Sequence, residues 1–130
     1  MLRIKNKNIY INRGDSANIQ LACNNANFEP GNYIKFYIMK ENDCEDVLLT
    51  KQFNITELTN TVDIQLTSED TRSLGESFKN GYQTYWYEVE LNRDALEPGD
   101  EDMRNTLIGY DDNGPKLFIL YPEATEGSED

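Results

Sequence analysis

Apolar side chains return at every second position along most of this 130-residue chain, in short runs separated by turn-forming residues. A period of two places those side chains on one face of a β-strand, so the chain is committed to sheets. Ile9-Tyr10-Ile11 and Ala17-Asn18-Ile19-Gln20-Leu21-Ala22-Cys23 are the first two runs. Asn12-Arg13-Gly14-Asp15 joins them and reads as a hairpin, because glycine tolerates positive φ and Asp bonds the local backbone. A polar stretch, residues 24–32 with Pro30-Gly31, precedes Tyr33-Ile34-Lys35-Phe36-Tyr37-Ile38-Met39-Lys40, a central strand with Ile34, Phe36 and Ile38 on one face.

An acidic loop over residues 41–46 leads to strands over residues 47–53 and 62–66. In residues 67–75, the hydroxyl of Thr67, the early acids Glu69 and Asp70 and the closing Gly75 predict one short helical turn. The longest run, residues 81–91, sets Tyr85, Tyr87, Val89 and Leu91 on an inner face and Trp86, Glu88 and Glu90 on the other. After an acidic loop over residues 92–104, residues 105–110 and 116–121 read as a hairpin around Asp111-Asp112-Asn113-Gly114-Pro115.

Seven or eight short strands without a helix of ordinary length point to an all-β, antiparallel two-sheet sandwich with one short helical connector. A parallel sheet would need long, usually helical crossovers, and a closed barrel is the second choice. The expected organisation is one domain over residues 1–121, followed by an acidic, disordered tail over residues 122–130. Ile19, Leu21, Phe36, Ile38, Ile64, Tyr85, Tyr87 and Val89 are the expected core.

Composition removes several kinds of chemistry. The chain has no histidine, which leaves no Ser-His-Asp triad, no Cys-His pair and no imidazole metal ligand. Its formal charge of −12 repels nucleic-acid phosphates and anionic membranes, so neither partner is expected. No apolar run reaches the roughly 18 residues of a membrane span, and the start lacks the apolar segment of an export leader. Cys23 and Cys44 form no C-x-x-C pair and are read as reduced thiols.

The charge is graded along the chain. Residues 1–40 hold six basic and two acidic groups (+4), residues 41–87 three and nine (−6), and residues 88–130 three and thirteen (−10). Such a gradient is either a solvated acidic face or a means of pairing the basic start of one copy with the acidic end of another.

Arg13-Gly14-Asp15 matches an adhesion tripeptide, but a turn accounts for the same residues. Asp94, Asp100, Glu101 and Asp102, or Asp111, Asp112 and Asn113, offer oxygen ligands for calcium without the EF-hand spacing, and solvated loops explain them as well. Among 24 acids some carboxylate pair meets glycosidase spacing by chance. Tyr82, Tyr85, Trp86, Tyr87, Tyr110 and Tyr121 are candidates for a sugar-stacking or protein-docking surface, though a core needs most of them. Trp86 has polar neighbours on its face, which places it either under a loop at a sheet edge or at an interface. Asn54-Ile55-Thr56 fits a glycosylation pattern and is set aside for want of a leader. No catalytic, cofactor-binding or metal-ligating residue is assigned, and no enzyme is expected.

The order of Ile9-Tyr10-Ile11, Arg13-Gly14-Asp15, Leu21, Leu74-Gly75 and Tyr85-Trp86-Tyr87-Glu88-Val89-Glu90-Leu91 resembles small immunoglobulin-like domains of tailed-phage structural proteins, such as the one that opens the upper baseplate protein. The resemblance spans residues 4–121. Residues 76–81 lengthen the approach to the aromatic strand, and the 92–104 loop stands where the family has a tight hairpin. It implies an Ig-like sandwich made in the host cytoplasm and built into the virion. Such a domain acts as an assembly or adaptor module of the tail or baseplate, without cofactor or small-molecule substrate. Its partners would be other virion proteins and copies of itself, since the chain to Asp130 leaves no room for a receptor-binding head. A carbohydrate-binding or adhesin-type sandwich is the alternative.

Overall fold

A computed structural model describes residues 2–23, 26–74 and 81–123 of the chain, which form a two-sheet β-sandwich. The larger sheet contains β1 (Leu2–Lys5), β2 (Asn8–Asn12), β4 (Asn32–Lys40), β5 (Asp43–Asn54), β7 (Gln83–Arg93), β8 (Met103–Ile108) and β9 (Lys116–Tyr121). Its order is β1-β2-β9-β7-β4-β5, with β8 also paired to β7. The smaller sheet is β3 (Ala17–Ala22) paired with β6 (Thr61–Leu66), and a short helix, α1 (Ser68–Ser73), links β6 to β7. All ladders are antiparallel except β2 with β9. This arrangement matches the B–E and C–F–G pairings of an immunoglobulin sandwich, with β5 added at the edge as in variable-type domains.

Neither predicted hairpin forms. The link over residues 12–15 is a corner between sheets, because β2 pairs with β1 and β9 while β3 pairs with β6. The Arg13 N–H donates to the Tyr121 carbonyl at 2.9 Å, and the Gly14 N–H donates to Thr71 Oγ1 at 2.9 Å, so donors that a hairpin would pair locally are taken elsewhere. Likewise, β8 and β9 run in one direction along successive halves of β7, from Arg93↔Met103 to Val89↔Ile108 and from Tyr87↔Lys116 to Gln83↔Leu120. Residues 109–115 loop out between them, closed by two backbone hydrogen bonds between Asp111 and Gly114. The Asp-Asn-Gly turn is real, but its flanks continue one strand position.

Two strands exceed the sequence expectation. Leu2–Lys5 pairs with β2 through a two-residue turn, Asn6-Lys7, with φ of 53° and 67°. Positive φ at both central positions suits the twist of a hairpin. The predicted acidic loop over residues 41–46 is mostly strand, since β5 begins at Asp43.

The core lies between the sheets. Phe36 and Ile38 of β4, Tyr85, Tyr87 and Val89 of β7, and Ile64 of β6 are buried as expected, with Ile34 beside them; Ile19 and Leu21 are half-buried against them. Buried Ile9, Ile11, Phe118 and Leu120 extend the same face through β2 and β9. Phe36 and Tyr87 have ring centroids 5.6 Å apart in the middle of this core. Cys23 is half-buried and Cys44 exposed, and both are free thiols.

The helical turn forms for the local reasons legible in its sequence. Thr67 accepts from the Asp70 N–H, and the Asp70 carboxylate accepts from the Thr67 N–H, a reciprocal cap. The expected closing Gly75 lies outside the described residues. At the helix end Leu74 offers its carbonyl to the Tyr85 hydroxyl at 2.6 Å. Tyr85 thus ties the start of β7 to the segment before it, the role of the tyrosine corner in immunoglobulin sandwiches.

Candidate interaction face

Strand alternation turns Tyr33, Lys35, Tyr37 and Met39 of β4 and Thr84, Trp86, Glu88, Glu90 and Asn92 of β7 away from the core, onto the outer face of the larger sheet. This face is more built than period-two reasoning expects. Glu90 is 2% exposed, its carboxylate taking a hydrogen bond from the Tyr37 hydroxyl at 3.0 Å and contacts from Arg104 Nε and Nη2 at 2.8 and 2.6 Å. A buried carboxylate needs such partners, because desolvation without them is costly. Tyr33 donates to Asp94 at 2.7 Å one step along the same face. Among the described residues, Asn92 Nδ2 is the one buried side-chain polar atom without a hydrogen-bond partner.

The electrostatics follow from these contacts. Burial, then the hydrogen bond to Glu90 and its negative charge, push the Tyr37 hydroxyl from 10.0 up to about 12, against the opposing Arg104. Burial alone raises Tyr87 to about 12. Burial and the neighbouring Glu90 charge also raise Glu88 above the usual carboxylate value, with Arg104 opposing. For a phenol whose folded pKa exceeds its unfolded one, the stabilisation is complete below the unfolded pKa and is lost as pH rises through the folded one. Stability is therefore expected to fall between pH 10 and 12. Absorbance titration of the phenolates should show a late-titrating group of tyrosines, from which Tyr37→Phe and Tyr87→Phe each remove one.

Trp86 lies beside a loop but not at a sheet edge, since β7 is flanked by β4 and β9 inside the larger sheet. Its ring centroid lies 5.8 Å from that of Tyr110, in the loop over residues 109–115, and its ladder partners are the buried Met39 and the half-buried Leu117. The loop is anchored: the Lys116 ammonium reaches Asp111 at 2.8 Å, and the Asn113 N–H donates to the same carboxylate at 2.8 Å. Gly109 lets the chain leave β8 here, because a Cβ would stand 2.8 Å from Thr106 Cγ2 and 3.3 Å from Glu88 Cγ. Tyr110 remains 66% exposed.

The six rings singled out in the sequence do not make one platform. Tyr85 and Tyr87 are core, Tyr82 and Tyr121 pair edge to face at 6.0 Å, and only Trp86 and Tyr110 share a patch on the outer face. Tyr33 and Tyr37, which belong to that face, were missed; their signal was the aromatic positions alternating with Ile34, Phe36 and Ile38.

Arg13-Gly14-Asp15 is a structural corner. Thr71 Oγ1 lies 2.9 Å from the Gly14 nitrogen and 3.0 Å from the Asp15 carbonyl, and Arg13 and Arg72 reach Glu123 at 3.2 and 2.8 Å. The hydrogen bond and charge of Arg72 hold the Glu123 carboxyl below its usual range. Gly14 has φ of +90°, and a Cβ there would sit 2.8 Å from Glu123 Cδ. Pro122 accepts from Asn12 Nδ2 at 2.9 Å, so residues 122 and 123, assigned to a disordered tail, are held against the corner; residues 124–130 lie outside the described residues.

Three of the acidic-loop carboxylates are engaged by protein partners. Asp94 meets Tyr33, Asp102 accepts from the Ala95 N–H at 2.7 Å, and Asp111 holds Lys116. Among the described residues no three His, Cys, Asp or Glu side chains converge as metal ligands, and no helix is long and apolar enough to cross a membrane. Compared with family models and with curated proteins, the chain matches none.

Proposed function

We propose that this chain is a structural component of a tailed-phage or phage-tail-like particle, an assembly and adaptor module of the tail or baseplate that works by binding and performs no chemistry of its own. In this reading it is made in the host cytoplasm, ends in the virion, and has other virion proteins and copies of itself as partners. The observation that carries the proposal is the Trp86–Tyr110 pair on the outer sheet face, an aromatic anchor with one ring half-buried and the other 66% exposed beside acidic loops. Aromatic anchors supply the affinity of protein interfaces, and surrounding charge supplies register and encounter rate.

Trp86→Ala is expected to reduce incorporation into particles at least ~10-fold, the range of an interface anchor, while leaving the isolated domain folded. Quantifying the variant in purified particles beside a circular-dichroism melt checks both halves. Normal incorporation of the variant would count against this patch. A second reading, glycan binding, is favoured by Tyr33, Tyr37 and Trp86 sharing that face, and specific retention on a glycan array with loss in Trp86→Ala would support it.

A further inference from the structure

Of the edge strands of the larger sheet, β1, β5 and β8, the first two carry opposite charge. At one, β1 bonds only to β2 and carries the exposed cations Arg3 and Lys5, with Leu2 37% and Ile4 48% exposed. Arg3 is steadied over the Tyr10 ring, 4.5 Å from its centroid. At the other, β5 bonds only to β4 and carries the exposed anions Asp43, Glu45 and Asp46, with Val47 44% and Leu48 42% exposed. Among the described residues none of these five charged side chains forms an ion pair. Half of the backbone donors and acceptors on each edge strand point outward without a strand partner, the condition that templates pairing with another chain.

We infer that the β1 edge of one copy pairs with the β5 edge of the next, continuing the larger sheet from copy to copy. The inference rests on the assembly reading above and names its partner as a second copy of this chain. Like charges across a ladder repel, so β1 against β1 and β5 against β5 are disfavoured, whereas β1 against β5 brings Arg3 and Lys5, which share one face of their strand, to the edge where Asp43 and Glu45 share a face of theirs. Arg3 and Lys5 give β1 a charge of +2, and Asp43, Glu45 and Asp46 give the start of β5 a charge of −3. Because the two surfaces differ, the contact is heterologous, and it builds a ring if the rotation closes or a filament if it does not.

Sedimentation of the full chain tests this. The wild type is expected to exceed monomer mass with rising concentration at low salt, and its apparent dissociation constant to rise ~10-fold between about 50 and 500 mM salt. The double variants Arg3→Glu with Lys5→Glu, and Asp43→Lys with Glu45→Lys, change exposed side chains only and should fold. Each alone is expected to stay monomeric, and an equal mixture to associate, since every basic edge then meets an acidic one. Hydrogen exchange in the associated form should protect Leu2–Lys5 and residues 43–48. A mixture that stays monomeric, or protection confined to other strands, would overturn the edge pairing. A wild type that is monomeric alone yet enters particles would overturn it and leave the assembly reading standing; failure of both would overturn both.

Discussion

Phe36→Ala is expected to cost about 3–5 kcal/mol, most of the stability of a domain this size. Phe36 is fully buried at the centre of β4, stacked near Tyr87, and it lines an apolar crevice of about 140 Å³ shared with Ile19, Leu21, Val89 and Ile108. Removing the ring adds its volume to an existing void between two hydrogen-bonded sheets, which cannot collapse to fill it, so the cost falls toward the upper end. Urea denaturation should show a much lower midpoint with an unchanged slope, or no folded baseline at all. A midpoint near the wild-type value would mean that β4 does not face the smaller sheet.

Thr71→Val has the second large effect, about 1–3 kcal/mol, although the two side chains are nearly the same size. Thr71 is 0% exposed, and its hydroxyl takes the Gly14 N–H at 2.9 Å while lying 3.0 Å from the Asp15 carbonyl and 3.1 Å from the Ser68 carbonyl. Valine keeps the packing and leaves the corner's donor and acceptor without their partner. Thr71→Ser keeps the hydroxyl and is expected to recover most of the loss. Thermal melts of the three proteins decide it, and equal stability for the valine variant and the wild type would show that the corner is held by other contacts.

What the sequence made legible was local. The faces of β4 and β7 follow from strand period alone, and the helix at residues 68–73 from a threonine three residues before an aspartate. The two missed topologies are non-local decisions on top of correct local chemistry. Gly14 and Asp15 suit a hairpin and a sheet-to-sheet corner equally, and the choice is made by Thr71 and Tyr121, far along the chain. Asp111 to Gly114 does turn, but β7 is long enough to hold β8 and β9 end to end, so the flanks align with it instead of with each other.

The outer face was legible only in part. Trp86 stood out because its same-face neighbours are polar, whereas Glu90 was read as exposed and is buried, since Arg104 and Tyr37 cover it from neighbouring strands. No alternation pattern reports cross-strand pairing. The charged residues could be counted along the chain, but the opposite charge of two edge strands required β1, whose Leu-Arg-Ile-Lys alternation is itself a strand signal of only four residues.

The central claim, that the chain is built into a particle, is tested most directly by quantitative mass spectrometry of particles banded on a density gradient after lysis of the producing host. The account predicts the chain in the particle band at a fixed number of copies relative to the tail proteins, retained through a second gradient. Its presence only in the soluble fraction, with a small molecule or glycan bound there, would contradict the account.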